Sequence, residues 1–306
     1  MTPRTPASER LLALVAARGP TCLGFDPRID QLPDDVFVGG SRPSVGAPAD
    51  AARAFERFFE GCLDAVGDAA AAVKLQAAFF EQYLEEGFAA FVRCCRTARE
   101  RGYFVVADVK RGDISTTAEA YAEGYFGPVG GAAPVADAVT VNPYLGADGL
   151  EPFLTAAERT GSMVFVLVKT SNPSSKELQD LETPGGARIS DRVAAWVERE
   201  AARTAAGGRY GAAAAVVGAT HPAELAHFRE AMPHAWMLLP GYGAQGAGAR
   251  DVVGAFDAEG GGALVTASRS LTYPWGKGRP PADWRRAVAD AARVMRADIA
   301  TARGAR

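Results

Sequence analysis

Eight short apolar runs recur along the chain, at 22–25, 72–75, 103–109, 138–141, 163–168, 212–217, 235–239 and 263–266. A stretch with helical apolar spacing follows each of them. These helical stretches are 51–68, 79–101, 117–125, 150–160, 189–206, 222–232 and 246–256, and a last helix starts near Pro281 and runs to the end. Strict alternation implies parallel strands, because a helix must carry the chain back before the next strand can run the same way. Eight such units in 306 residues predict an α/β fold of one kind, a single (β/α)8 TIM barrel over 1–306, in preference to an open doubly wound sheet. A barrel places its chemistry at the C-terminal ends of its strands, so the residues that close each run are the ones to inspect. Two long irregular segments, 27–48 and 171–188, each follow a strand and are expected to sit on that face as loop insertions.

Composition limits what such a mouth can bind. With 48% hydrophobic and 23% charged residues the chain reads as a folded, water-soluble protein. A formal charge of −3 provides no long-range attraction for nucleic acid or an anionic membrane, so an anionic ligand must be held by a local cluster of donors. No run approaches the roughly 18 apolar residues of a membrane span, and MTPRTPASER has no signal core, which makes the cytoplasm the expected address. Cys22, Cys62, Cys94 and Cys95 show no CxxC spacing, so they are expected to be buried thiols and not a disulfide frame or a metal site. His221, His227 and His234 fall around one helical stretch and are expected to be surface or structural residues. The arginine-rich tail reads as a solvated helix face.

Charge at the strand ends is more informative. The chain has only five lysines, Lys74, Lys110, Lys169, Lys176 and Lys277, and the first three lie in or at the end of apolar strand runs. Asp108 and Lys110 are two apart on a strand, so both face the mouth and Val109 faces away. Asp113, in the following loop, can close on Lys110 from the opposite side, and Lys74 on the neighbouring strand can join an alternating Lys–Asp–Lys–Asp array. Such an array stays ionised although partly buried, because every member has opposite neighbours. The same four charges could be a structural ion-pair network; their concentration at adjacent strand ends of a lysine-poor chain favours a site.

The glycine-rich stretch 240–248 and Arg269 follow the seventh and eighth runs, where barrels commonly bind phosphate through backbone N–H groups and an arginine fork. Gln245 can bridge a planar base edge and a phosphate. Segments 240–248 and 171–188 are the candidate lids.

The stretch DVKRGDISTT from Asp108 to Thr117 resembles the DxKxxDIxxT signature of the orotidine 5′-phosphate decarboxylase family. GFDPR near Asp26, VKLQAAFFE around Lys74, NPYLG from Asn142, VKTSNP from Lys169, VVGAT ending at Thr220 and LLPGYGAQG before Gly246 are similar to its longer bacterial subfamily. The resemblance extends from about Cys22 to Arg269. It implies decarboxylation of orotidine 5′-phosphate to UMP and CO2, the last step of de novo UMP biosynthesis. It implies that Lys110 donates the proton, flanked by Asp108 and Asp113, with Lys74 in the array. Asp26 then binds a ribose hydroxyl, Ser171 (or Thr170 or Asn172) the pyrimidine, Gln245 base and phosphate, and Arg269 the phosphate. A homodimer is also implied, the segment with Asp113, Ile114 and Thr117 reaching into the neighbour's site. One departure is Ser268 before Arg269, where shorter members usually carry glycine.

No cofactor or metal is expected, since nothing in the sequence suggests a thiamine, pyridoxal or metal site. The competing readings are a Mg²⁺-dependent sugar-phosphate decarboxylase or aldolase on the same barrel, a Schiff-base lysine enzyme, and a catalytically silent nucleotide-binding protein. A lysine flanked by carboxylates is a poor nucleophile, which disfavours the Schiff base.

Overall fold

A computed structural model describes residues 5–40, 42, 47–128 and 133–304. Eight parallel strands close into a barrel in sequence order: β1 (Thr21–Phe25), β2 (Ala72–Gln76), β3 (Phe104–Arg111), β4 (Ala138–Val141), β5 (Met163–Lys169), β6 (Ala213–Val217), β7 (Met237–Pro240) and β8 (Ala263–Ala267). All eight expected strands are present, within two residues at either end, and β8 pairs with β1 to close the ring. The helices are α1 (Ala7–Arg18), α2 (Pro48–Val66), α3 (Ala78–Glu81), α4 (Leu84–Glu100), α5 (Ser115–Phe126), α6 (Ala147–Thr160), α7 (Lys176–Gln179), α8 (Ile189–Thr204), α9 (Pro222–Ala231), α10 (Arg269–Thr272) and α11 (Trp284–Gly304).

Period-two alternation sorts each strand between two cores. Inward residues such as Cys22, Ala72, Phe104, Met163, Phe165, Trp236 and Leu264 fill the barrel axis. Outward residues pack beneath the helices, where Phe25 lies 4.8 Å from Phe59 and Phe58 lies 5.0 Å from Trp284, between ring centroids. Helix α1, not expected from the sequence, presents Ala7, Leu11 and Val15 at helical spacing to the axial core. Its Ala7 N–H donates to the Gly161 carbonyl at 2.8 Å, so it caps the N-terminal end of the barrel.

Two expected helices differ. The 79–101 stretch is divided into α3 and α4, because Leu84 adopts φ +53° and turns the chain between them. The 246–256 stretch holds an isolated bridge at Ala247, turns and one 3₁₀ turn, Val253–Ala255: Gly246 sits at φ +100°, outside helical geometry, and the Asp251 carboxylate takes the Gly248 N–H at 2.7 Å. The four cysteines are free and buried, and burial pushes the Cys22 thiol up to about 12. No helix among the described residues is long and apolar enough to cross a membrane.

Candidate active site

The C-terminal ends of the strands surround a cavity of about 860 Å³. Its charged wall comes from β1 to β3. Asp26 follows β1, Lys74 and Gln76 project from β2, and Asp108 and Lys110 from β3, where pairing sets Gln76 beside Asp108. The opposite wall is apolar, with Leu167 and Val168 of β5, Val216 of β6 and Leu238 of β7. Gln245 and Arg269 line the rim contributed by the loops after β7 and β8.

Asp108 is the hub. Its Oδ2 accepts from Lys74 Nζ at 2.7 Å and Gln76 Nε2 at 3.0 Å, and its Oδ1 from Lys110 Nζ at 2.5 Å and Thr140 Oγ1 at 2.9 Å. Lys74 Nζ also lies 3.9 Å from Asp26 Oδ1, which completes an alternating chain Asp26–Lys74–Asp108–Lys110. Lys74 and Asp108 are each 5% exposed, whereas the Lys110 side chain is 45% exposed and reaches into the open cavity. Burial alone pushes the Lys74 ammonium down, but the Asp108 and Asp26 carboxylates outweigh it and hold its pKa above the ordinary lysine value. Burial works to raise Asp108 as well, yet Lys74 and Lys110 together hold it well below the usual carboxylate range.

The array therefore differs from the sequence expectation in one member. Within one chain Asp26 stands at its end, and Asp113 does not: an Asp113 oxygen accepts the Ile114 N–H at 2.9 Å, and Asp113, Ile114 and Thr117 are absent from the cavity lining. The reason is the path of β3. Two extra residues are inserted relative to β4 between the pairs Ala107–Val139 and Arg111–Val141, and Asp113, in the loop that follows, lies outside the lining. Val109 and Lys110 thus depart from simple alternation, although Lys110 still faces the cavity.

Ser171, Thr170 and Asn172 all line the cavity. Gly218 permits this approach, since a Cβ there would stand 3.0 Å from the Ser171 backbone. Of the two irregular segments, 171–188 forms part of the wall through α7. It is tied down by Lys169 Nζ on Asp180 at 2.5 Å and by Thr170 N–H on Gln179 Oε1 at 2.9 Å. The described residues of 27–48 contribute nothing to the lining. Trp284 and Arg285 of α11 bond Asp35 in that segment, and residues 41 and 43–46 lie outside the described residues. The glycine-rich loop brings Gly241, Tyr242, Ala244 and Gln245 to the rim. Gly243 is required in it, at φ +73° with Ser270 Oγ 2.6 Å from where a Cβ would stand.

Comparison with known proteins settles the family. The model of the "Orotidine 5'-phosphate decarboxylase / HUMPS family" matches residues 47–279. The chain belongs to that family. It is 44% identical over 256 residues to the orotidine 5′-phosphate decarboxylase of Deinococcus radiodurans, covering 83% of this chain and 84% of that one. To that of Rhodopirellula baltica it is 41% identical over 279 residues, covering 88% of each. Among solved structures, Leishmania donovani OMP decarboxylase superposes with a TM-score of 0.75 at 31% identity, over 99% of this chain and 100% of that one.

Within this orotidine 5′-phosphate decarboxylase family chain, two cavity residues escaped the sequence reading of roles. Gln76 was visible as a polar residue on β2, and Thr140 as the one hydroxyl in the run AVTV, but neither carried a charge to flag it. The histidines are not in the lining. His227 Nε2 lies 2.9 Å from Asp191 Oδ1 and His234 Nδ1 lies 2.6 Å from Glu198 Oε1, both on the helical periphery.

Proposed function

We propose that this protein decarboxylates orotidine 5′-phosphate to UMP and CO2, the closing step of UMP biosynthesis, within one catalytic barrel over 1–306 that carries 27–48 and 171–188 as insertions. The observation that carries the reading is the Asp26–Lys74–Asp108–Lys110 array at the floor of a cavity whose rim holds Gln245 and Arg269. The C6–carboxylate bond breaks with its electron pair left on C6, and the pyrimidine offers that pair no adjacent electron sink. The barrier must then fall through electrostatics and positioning. Lys110 supplies the positive charge beside C6 and then the proton, giving UMP and a neutral amine that water re-protonates. Asp108 cannot wander from this task, since four donors saturate its two oxygens.

The apolar wall of Leu167, Val168, Val216 and Leu238 suits one face of a pyrimidine, with the reacting edge toward the charges. Asp26 binds a ribose hydroxyl in this reading. Thr170 Oγ1 is already engaged with Asn172 Oδ1 at 2.7 Å and Gln179 Nε2 at 2.8 Å, which supports Ser171 as the contact to the base. Gln245 and Arg269 hold base and phosphate. The binding energy of the phosphate raises the rate if closure of 240–248 assembles the array around the base.

The homodimer with shared sites rests on the segment left outside the cavity. Ile114, Tyr121, Tyr144 and Leu145 are large apolar side chains left exposed on the elements beside Asp113. The loop after β3 packs on α6, a Cβ at Gly149 being 2.9 Å from the Asp113 carbonyl. A two-fold partner covering this face would receive Asp113, Ile114 and Thr117 in its own site. The cytoplasm is the protein's expected address.

The test is the loss of orotidylate absorbance on adding purified protein, with and without EDTA, repeated with Lys110→Ala. Metal-independent loss that vanishes in the variant is the expected result. A folded wild-type protein that leaves orotidylate intact would refute the reading and turn attention to sugar phosphates with Mg²⁺.

A further inference from the structure

The extra residues of β3 leave a local problem that β4 solves with a side chain. Between Ala107 and Arg111 the regular pairing with β4 is lost, and Lys110 takes φ +44°, a left-handed conformation that a residue with a Cβ rarely adopts. Regular pairing returns one residue later, where the Asn142 N–H donates to the Arg111 carbonyl at 2.7 Å. In the gap, the Val109 and Lys110 N–H groups both donate to Thr140 Oγ1, at 3.0 and 2.9 Å. The same hydroxyl donates its proton to Asp108 Oδ1 at 2.9 Å, the oxygen that also receives Lys110 Nζ. A hydroxyl has one proton and two lone pairs, and here all three are used, so it cannot rotate without giving something up. Thr140 is 1% exposed.

We propose that Thr140 is a positioning residue whose single hydroxyl ties the strained Lys110 backbone to the Asp108 carboxylate and so aims the Lys110 ammonium into the cavity. The inference deepens the decarboxylase reading and rests on it. Two ends of the lysine are fixed through one atom: its backbone N–H directly, and its ammonium through Asp108. Remove that atom and the Val109 and Lys110 N–H groups lose their acceptor. The backbone is then free to relax from φ +44°, carrying the Lys110 side chain with it.

The test compares wild type, Thr140→Val and Thr140→Ser for orotidylate turnover and for UMP binding by calorimetry. Valine keeps the shape and deletes the hydroxyl; serine keeps the hydroxyl. The expected result is that kcat of Thr140→Val falls roughly 10- to 100-fold. KM and the UMP Kd should stay within about twofold of wild type, because lysine aim matters to the transition state and not to ground-state binding. Thr140→Ser should recover most of kcat. A Thr140→Val enzyme with wild-type kcat overturns the proposal, and so does a loss of UMP affinity as large as the loss of kcat, which would mean general distortion. A serine variant no better than valine overturns it too. Wild-type protein that binds UMP but does not consume orotidylate overturns the functional reading instead, and the positioning role with it.

Discussion

Replacing Asp108 with asparagine puts the central premise, a desolvated lysine dependent on one carboxylate, to a quantitative test. Asparagine has nearly the same shape but only one acceptor oxygen, and Asp108 serves two donors on each of its two oxygens. Either orientation of the amide turns its NH2 toward a pair of donors. The acute loss falls on Lys74, which is 5% exposed and whose remaining carboxylate, Asp26, is 3.9 Å away. Removing one partner of a buried pair costs about 3–5 kcal/mol, and the surviving Asp26 places the cost near the lower figure. An unfolding entropy of about 2.1 cal/mol/K per residue over 306 residues amounts to about 0.64 kcal/mol/K, so Tm should fall by about 5 °C. The pH dependence has a definite sign. In wild type the folded Lys74 pKa is raised, so its contribution is present below the unfolded value of about 10.4 and is lost as pH rises through the folded one. In Asp108→Asn burial dominates and the folded pKa drops. The variant then gains stability as pH rises toward about 10.4, and its Tm deficit narrows between about pH 7 and pH 9. Adding Lys74→Met removes the stranded charge and should recover most of the lost Tm while turnover stays absent. Differential scanning fluorimetry reads the Tm values and orotidylate absorbance the turnover; a Tm for Asp108→Asn within about 1 °C of wild type at pH 7 would refute the argument.

Arg269→Ala should weaken UMP binding by roughly 10- to 100-fold and leave uridine binding unchanged, as calorimetry would show; equal UMP affinity removes Arg269 from the phosphate site. If Asp113 acts in the neighbour's site, inactive Lys110→Ala and inactive Asp113→Ala subunits mixed in equal amounts regain about a quarter of wild-type activity, because half the dimers then hold one intact site of two. No recovery on mixing would place Asp113 in its own chain's site or outside catalysis. Asp180→Ala strips the partner from Lys169, which is 1% exposed, and loosens α7. Trypsin should cut after Lys176 faster than in wild type, with KM for orotidylate rising more than kcat falls.

The sequence disclosed the barrel because eight apolar strand runs alternate with helical stretches, and Lys74, Asp108 and Lys110 because charge in an apolar run is conspicuous. It disclosed neither α1 nor the full hub. Helix α1 precedes the first strand and so lies outside the repeating unit, although Ala7, Leu11 and Val15 mark its buried face. Thr140 and Gln76 are uncharged and ordinary in strands, and only the pairing of β2, β3 and β4 brings them to Asp108. Helix spacing over 246–256 misled because apolar periodicity does not register φ, and Gly246 at +100° does not propagate a helix. Alternation likewise predicted the direction of Lys110 but not the inserted residues that set its backbone angle.

The division of labour along the barrel axis explains how the fold tolerates so costly a site. Four charges at the mouth are individually expensive to bury, and as a chain they offset one another only while every distance is kept. The axial core below them, from Leu264 and Trp236 down to Leu11 of α1, is a continuous cluster of buried, mostly apolar side chains, so it fixes strand positions by packing. Stability is concentrated at the N-terminal end and chemistry at the other, with Asp108 tied to β2 through Lys74 and Gln76 and to β4 through Thr140. A slip of either neighbouring strand would move a donor off Asp108. The packing beneath the site is therefore what holds the ammonium of Lys110 in register with the cavity.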